Sequence, residues 1–131
     1  MTQRTASCSC GQLTATVIGE PIRVSICHCL ACQRRTGSVF SAQARFRSDV
    51  VEVQGQSSQH ALVGDEGGKA TFHFCPNCAA TVYYTYDGQA GNTIIPVGAF
   101  ADPDFPAPTF SVYEDRKHDW VGLLLDMEHI A

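Results

Sequence analysis

A chain of 131 residues is long enough for one domain with one core, in which folding removes roughly two thirds of the unfolded surface from water. Apolar residues at 44% and charged residues at 17% describe a globular domain, and the run Leu123, Leu124, Leu125 is far too short to span a bilayer, which argues against a membrane role. A net charge of −4 without a long Lys/Arg run among aromatics argues against a nucleic-acid partner.

In chain order, the opening MTQRTASCSC lacks the apolar stretch of a secretory signal, so the seven cysteines point to metal binding in a cytoplasmic protein rather than to disulfides. Cys8 and Cys10, two residues apart, face the same way if they lie on a strand. QLTATVIGEP then alternates Leu13, Ala15 and Val17 against Thr14 and Thr16, the period of a half-buried strand. After Cys27, Cys29 and Cys32, the stretch CQRRTG predicts a short helix or turn that Gly37 ends. SVFSAQARF places Phe40, Ala42, Ala44 and Phe46 on one strand face. VVEVQG, TFHFC, TVYYTYDG, NTIIPVGAF and TFSVYED supply further strands rich in β-branched and aromatic residues. GDEGGK at 64–69 reads as an exposed connection, and the three prolines of DPDFPAP at 102–108 break regular structure. HDWVGLLLDMEHI at 118–130 suits a strand or a helix, and periodicity does not choose. With no repeat or linker, a single zinc domain over 1–131, mainly β, is expected.

The cysteines divide into two sets. Cys75 and Cys78, in Cys-Pro-Asn-Cys, have the two-residue gap of a zinc knuckle, and with Cys8 and Cys10 they make the four thiolates of a closed structural zinc site. A redox role for the same pair needs a βαβ context that is missing. Cys27, Cys29 and Cys32 leave one position of a tetrahedron free, the pattern of a catalytic zinc, unless a histidine from elsewhere closes the site. His28, between two of these cysteines, points away from them in an extended chain and reads as a surface or supporting residue. His73 shares a strand face with Cys75 and suits a hydrogen-bonding core role. His118 has no spacing argument, and His60 and His129 read as solvent histidines. Between Pro21 and Ser48 lie Arg23, Arg34, Arg35, Arg45 and Arg47 with no acid, a local +5 against −9 in the rest of the chain. That segment would offset thiolate charge and attract an anionic small molecule, or simply face solvent.

CSCG at 8–11, CHCLACQRRTGSVFSAQARF at 27–46, FHFCPNCAATVYY at 72–84 and the closing RKHDW together resemble the glutathione-dependent formaldehyde-activating enzyme family, also called the CENP-V/GFA domain. The resemblance implies the β-tent fold, small antiparallel sheets around a zinc held by four cysteines. Residue by residue, it implies a structural zinc on Cys8, Cys10, Cys75 and Cys78 and a more easily lost catalytic zinc on Cys27, Cys29 and Cys32. It further implies carbon-sulfur lyase or synthase chemistry that joins glutathione, or another small thiol, to formaldehyde or a related aldehyde. Arg34 and Arg35, next to the motif, are the candidate contacts for an anionic thiol. Ala79 stands where the family usually has Gly, so the knuckle turn is expected to be strained or differently wound. The alternative function is a non-catalytic, zinc-stabilised protein-binding module of the same fold.

Overall fold

Alternation of apolar and polar residues governs most of the chain, and the computed structural model, which describes residues 1–64, 67–122 and 126–131, is mainly β. Its strands are β1 (Gln3–Ser7), β2 (Thr14–Ile18), β3 (Arg23–Cys27), β4 (Ser41–Arg47), β5 (Val51–Gln54), β6 (Ser58–Val63), β7 (Lys69–Phe74), β8 (Thr81–Tyr86), β9 (Asn92–Pro96), β10 (Phe110–Val112) and β11 (Glu128–His129). One α-helix, α1 (Leu30–Thr36), follows β3. Cys29 caps its start, its Sγ accepting from the Cys32 N–H, and Gly37 ends it at φ 70, with its N–H on the Gln33 carbonyl at 2.8 Å. No helix among the described residues is long and apolar enough to cross a membrane.

The strands form a three-stranded sheet, β1-β2-β5, and an eight-stranded sheet in the order β11-β10-β3-β4-β9-β8-β7-β6. Pairing is antiparallel except at β10, which runs parallel to both β3 and β11. The larger sheet is therefore wider and more mixed than the small antiparallel sheets expected. The chain comes back to pair β10 with β3 only after β4–β9 and the Pro-rich segment 102–108, and a parallel neighbour needs such a long connection rather than a hairpin.

The core lies between the two sheets. Ala6, Leu13, Ala15 and Val17 from the smaller sheet and its entry pack with Val24, Ala44, Phe46, Val82 and Ile95 from the larger, and Phe100 and Phe105 stack beside them at 4.7 Å. On β3 and β4 the alternation sends Val24 and Ala44 inward. The other face carries three registered pairs, Arg23 with Arg45, Ser25 with Gln43, and Cys27 with Ser41.

Several expectations change. Cys8 and Cys10 sit in the turn after β1 rather than on a strand, with the Cys8 N–H on the Leu13 carbonyl and the Gly11 N–H on the Cys8 carbonyl. β1 and β6 carry little apolar alternation and escape periodicity: only Ala6 of β1 is buried, and β6 is largely exposed along the sheet edge. Among the described residues of the C-terminal stretch 118–130, Glu128 and His129 form a strand, while Leu123, Leu124 and Leu125 lie outside the described residues, as do Asp65 and Glu66 of the 64–69 connection.

Candidate metal centres and cleft

The turn after β1 and the turn after β7 meet at four sulfurs. The Sγ atoms of Cys8, Cys10, Cys75 and Cys78 all lie within 4.8 Å of one another, with Cys8–Cys10 at 3.7 Å and Cys10–Cys75 at 3.6 Å. A tetrahedral zinc with bonds of about 2.3 Å sets sulfurs about 3.8 Å apart, so the donor set suits that ion. Hydrogen-bond donors surround the sulfurs as they would surround thiolates: the Leu13 N–H reaches Cys8 Sγ at 3.3 Å, and the Asn77 N–H and Gln12 Nε2 reach Cys75 Sγ at 3.3 and 3.0 Å. Burial works to raise the Cys75 thiol, but these bonds win and hold it at about 6. Ala79 closes the second turn at φ 67, its N–H on the Cys75 carbonyl at 2.8 Å, so the knuckle keeps the left-handed winding with a Cβ in place.

Cys27, Cys29 and Cys32 form the second cluster, at the junction of β3 and α1, and no fourth His, Cys, Asp or Glu joins it among the described residues. Hydrogen bonds from the Cys27 and Cys32 thiols, with the Cys32 N–H at 3.3 Å, pull the Cys29 thiol far down, while its bond to Cys29 pushes Cys27 far up. Both clusters could hold metal ions, with donor chemistry consistent with zinc.

No histidine joins either cluster among the described residues. His28 is fully buried, not at the surface, with Nε2 2.9 Å from Ser111 Oγ and Nδ1 without a partner, and burial lowers its pKa. His73 stacks on Tyr83 at 4.2 Å and meets Ser57 Oγ at 3.1 Å. His118 Nε2 lies 3.0 Å from Gln33 Oε1, and Gln33 Nε2 donates to the His28 and Arg116 carbonyls, so one side chain of α1 ties the RKHDW segment to the cluster. His129 is exposed and pairs with Glu114.

A cleft of about 760 Å³ opens in front of the three-cysteine cluster. Its floor is one row across the larger sheet, in which Arg23, Arg45, Ile94, Tyr84 and Phe72 are neighbours strand by strand. Arg35 lies over this row, its guanidinium 4.8 Å from the Phe72 ring centre and 5.2 Å from that of Tyr84. Arg34 does not line this cleft; it borders an adjoining, more apolar groove with Leu30, Leu62 and Phe74. Burial pushes the Tyr84 phenol well up, so it keeps its proton. Arg23, Arg45, Gln43 and Tyr84 were not singled out as individual site residues. Counting by twos back from Cys27 would have put Arg23 on its face, but the strand register that adds Arg45 is not written in either segment alone.

The family model of the glutathione-dependent formaldehyde-activating enzyme matches residues 3–116, which include all seven cysteines. The chain belongs to the glutathione-dependent formaldehyde-activating enzyme family. A Rhodobacter sphaeroides protein of known crystal structure superposes on this family member with a TM-score of 0.59 at 19% identity, covering 76% of this chain and 91% of that one, a likeness of fold. Among curated proteins none matches the sequence of this glutathione-dependent formaldehyde-activating family member.

Proposed function

We propose that the protein is a zinc-dependent carbon-sulfur lyase or synthase that condenses the thiol of glutathione with formaldehyde or a related small aldehyde, S-hydroxymethylglutathione being the product with formaldehyde. The observation that carries this reading is a three-sulfur donor set, with no fourth ligand among the described residues, at the head of a cleft large enough for a peptide-sized thiol.

In this reading Cys8, Cys10, Cys75 and Cys78 hold a structural zinc, and Cys27, Cys29 and Cys32 hold the catalytic one. Bound at the second site, zinc supplies the Lewis acidity that keeps a thiol deprotonated near neutral pH. The reaction adds S–H across a carbonyl: sulfur bonds to carbon, and the proton ends on oxygen. Arg35, held over two rings, gives the cleft positive charge beside the cluster and favours an anionic reactant. Tyr84 retains a phenolic proton and offers a hydrogen bond to the oxygen that gains charge as the carbon-sulfur bond forms. Leu30, Phe72 and Ile94 line the cleft with apolar surface.

Exchange spectroscopy by NMR on glutathione and formaldehyde measures the test directly, because the uncatalysed condensation is reversible. Protein carrying two zinc ions per chain should accelerate the exchange, and Cys29→Ser should not. No acceleration with both ions bound would sink the enzyme reading in favour of the binding module.

A further inference from the structure

Arg23 and Arg45 face each other directly across β3 and β4, in a cleft whose lining includes Arg35 and Arg116 but no Asp or Glu among its described residues. Like charges in direct cross-strand apposition destabilise a sheet, and partly burying them adds to the cost. Three arginines elsewhere on this chain have acids, Arg4 with Glu20, Arg47 with Asp49 and Arg116 with Asp115, whereas Arg34 and Arg35 beside the cluster, like the facing pair, have none among the described residues. Neither Arg23 nor Arg45 has an ion pair among the described residues. Arg23 lies 3.6 Å over the Phe110 ring centre, which fixes its plane, and its Nε is buried without a hydrogen-bond partner. Burial and the charge of Arg23 both weaken the hold of Arg45 on its proton, as expected for two neighbouring cations that are partly buried.

What lies between this pair and the thiols indicates what would neutralise it. From Cys27 the same face of β3 leads through Ser25 to Arg23, about 13 Å along the strand. The middle rung is polar and fixed: Ser41 Oγ donates to Gln43 Oε1 at 2.7 Å, and Gln43 Nε2 donates to Ser25 Oγ at 3.1 Å. A one- or two-carbon aldehyde reacting at the cluster cannot reach the arginines. A tripeptide thiol, with its sulfur on the central residue and its carboxylates at the ends, can lay an amide along the polar rung and extend a terminal carboxylate towards the arginine end of the cleft, where the long arginine side chains have only the remaining part of that distance to span.

We infer that Arg23 and Arg45 form a carboxylate-binding subsite that selects thiols carrying a carboxylate remote from the sulfur; the inference rests on the thiol-binding reading above. Its test is calorimetric titration of the zinc-loaded protein with four probes: glutathione, glutathione diethyl ester, cysteamine and S-methylglutathione. Arg23→Gln and Arg45→Gln should each weaken glutathione roughly tenfold or more, towards the affinity of the ester, while ester and cysteamine binding stay as in the parent. Without ligand, each variant should melt at the parent temperature or above it, since a like-charge contact is gone. Parent-like glutathione affinity in both variants overturns the subsite and leaves the thiol reading standing. A fall in melting temperature with loss of cysteamine binding also overturns it, and marks the arginines as structural. Cysteamine failing to bind the parent while S-methylglutathione binds, and weakens in the variants, sinks the thiol reading and keeps the subsite.

Discussion

Gln12 Nε2 lies 3.0 Å from Cys75 Sγ and 2.7 Å from the Gln56 carbonyl oxygen, while the Gln56 N–H returns a bond to Gln12 Oε1 at 3.0 Å. One side chain thus ties the first cysteine turn, the second cysteine turn and the end of β5 together. Gly55 makes this approach possible: at φ 98, a Cβ there would stand 1.9 Å from the Gln12 carbonyl oxygen. Removing a hydrogen bond to a metal ligand commonly costs ten- to a hundredfold in metal affinity. Gln12→Ala should therefore fold with zinc but give up that ion about ten- to a hundredfold more readily in a chelator competition. Unchanged affinity would show that the bond only braces the loop.

Stability and activity should separate between the two clusters. Cys8 and Cys78 are far apart in sequence, and the zinc proposed between them is worth on the order of 10–16 kcal/mol in small zinc domains, as much as a domain's whole stability. Cys75→Ser should fail to fold. Cys27, Cys29 and Cys32 span six residues and cross-link nothing distant. Cys29→Ser should melt cooperatively with one zinc per chain and no condensation activity, and a mild chelator should empty this site first. Equal loss of fold in the two variants, measured by circular dichroism and metal analysis, would contradict the division of labour.

Ala79 holds φ 67, where an L-residue is disfavoured by roughly 1–2 kcal/mol. Glycine relieves the clash but frees the unfolded chain, which returns part of the gain. Ala79→Gly should raise stability by about 0.5–1 kcal/mol, a few degrees in Tm, without changing metal content. A lower Tm would mean that the methyl group packs usefully where it borders the apolar groove.

Glu114 supplies a pH dependence. Burial works to raise its carboxyl, but hydrogen bonds from Ser111 and His129 outweigh it and hold the carboxyl below its usual 4.5. A carboxyl depressed by folding contributes stability above its unfolded pKa and loses it as pH falls through the folded value. The parent should therefore exceed Glu114→Gln in stability above about pH 4.5, and the gap should close below it, as denaturant midpoints at several pH values would record. The proton that Ser111 gives Glu114 leaves its oxygen free to accept from His28 Nε2, and burial lowers the pKa of that imidazole, whose Nδ1 has no partner.

Local chemistry made the clusters and most strands legible. Leu13, Ala15 and Val17 alternate in the sequence and are all fully buried, and Gly37 stops α1 at a left-handed residue as its position suggests. Three kinds of information were not local. The turn that carries Cys8 and Cys10 shares their two-residue spacing with a strand, so spacing alone could not choose. Edge strand β6 faces solvent along most of its length and lacks the alternation that burial imposes. The Arg23–Arg45 contact needs the register between two segments, which is set by how the whole sheet packs; the charge count found the cationic segment but not the pair within it.

The parallel seam between β3 and β10 also fixes an order of events during synthesis. β3 can pair with β4 almost as soon as both are made, but 65 residues separate the end of β4 at Arg47 from the end of β10 at Val112. At about 5–20 residues per second, β3 waits several seconds with one edge bare and three thiols at its end. Until Val112 arrives to accept the His28 N–H, those thiols stand beside an open sheet edge, exposed to oxidants and to pairing with other nascent chains. Early capture of a metal by Cys27, Cys29 and Cys32 would protect the emerging chain before there is a cleft for it to serve.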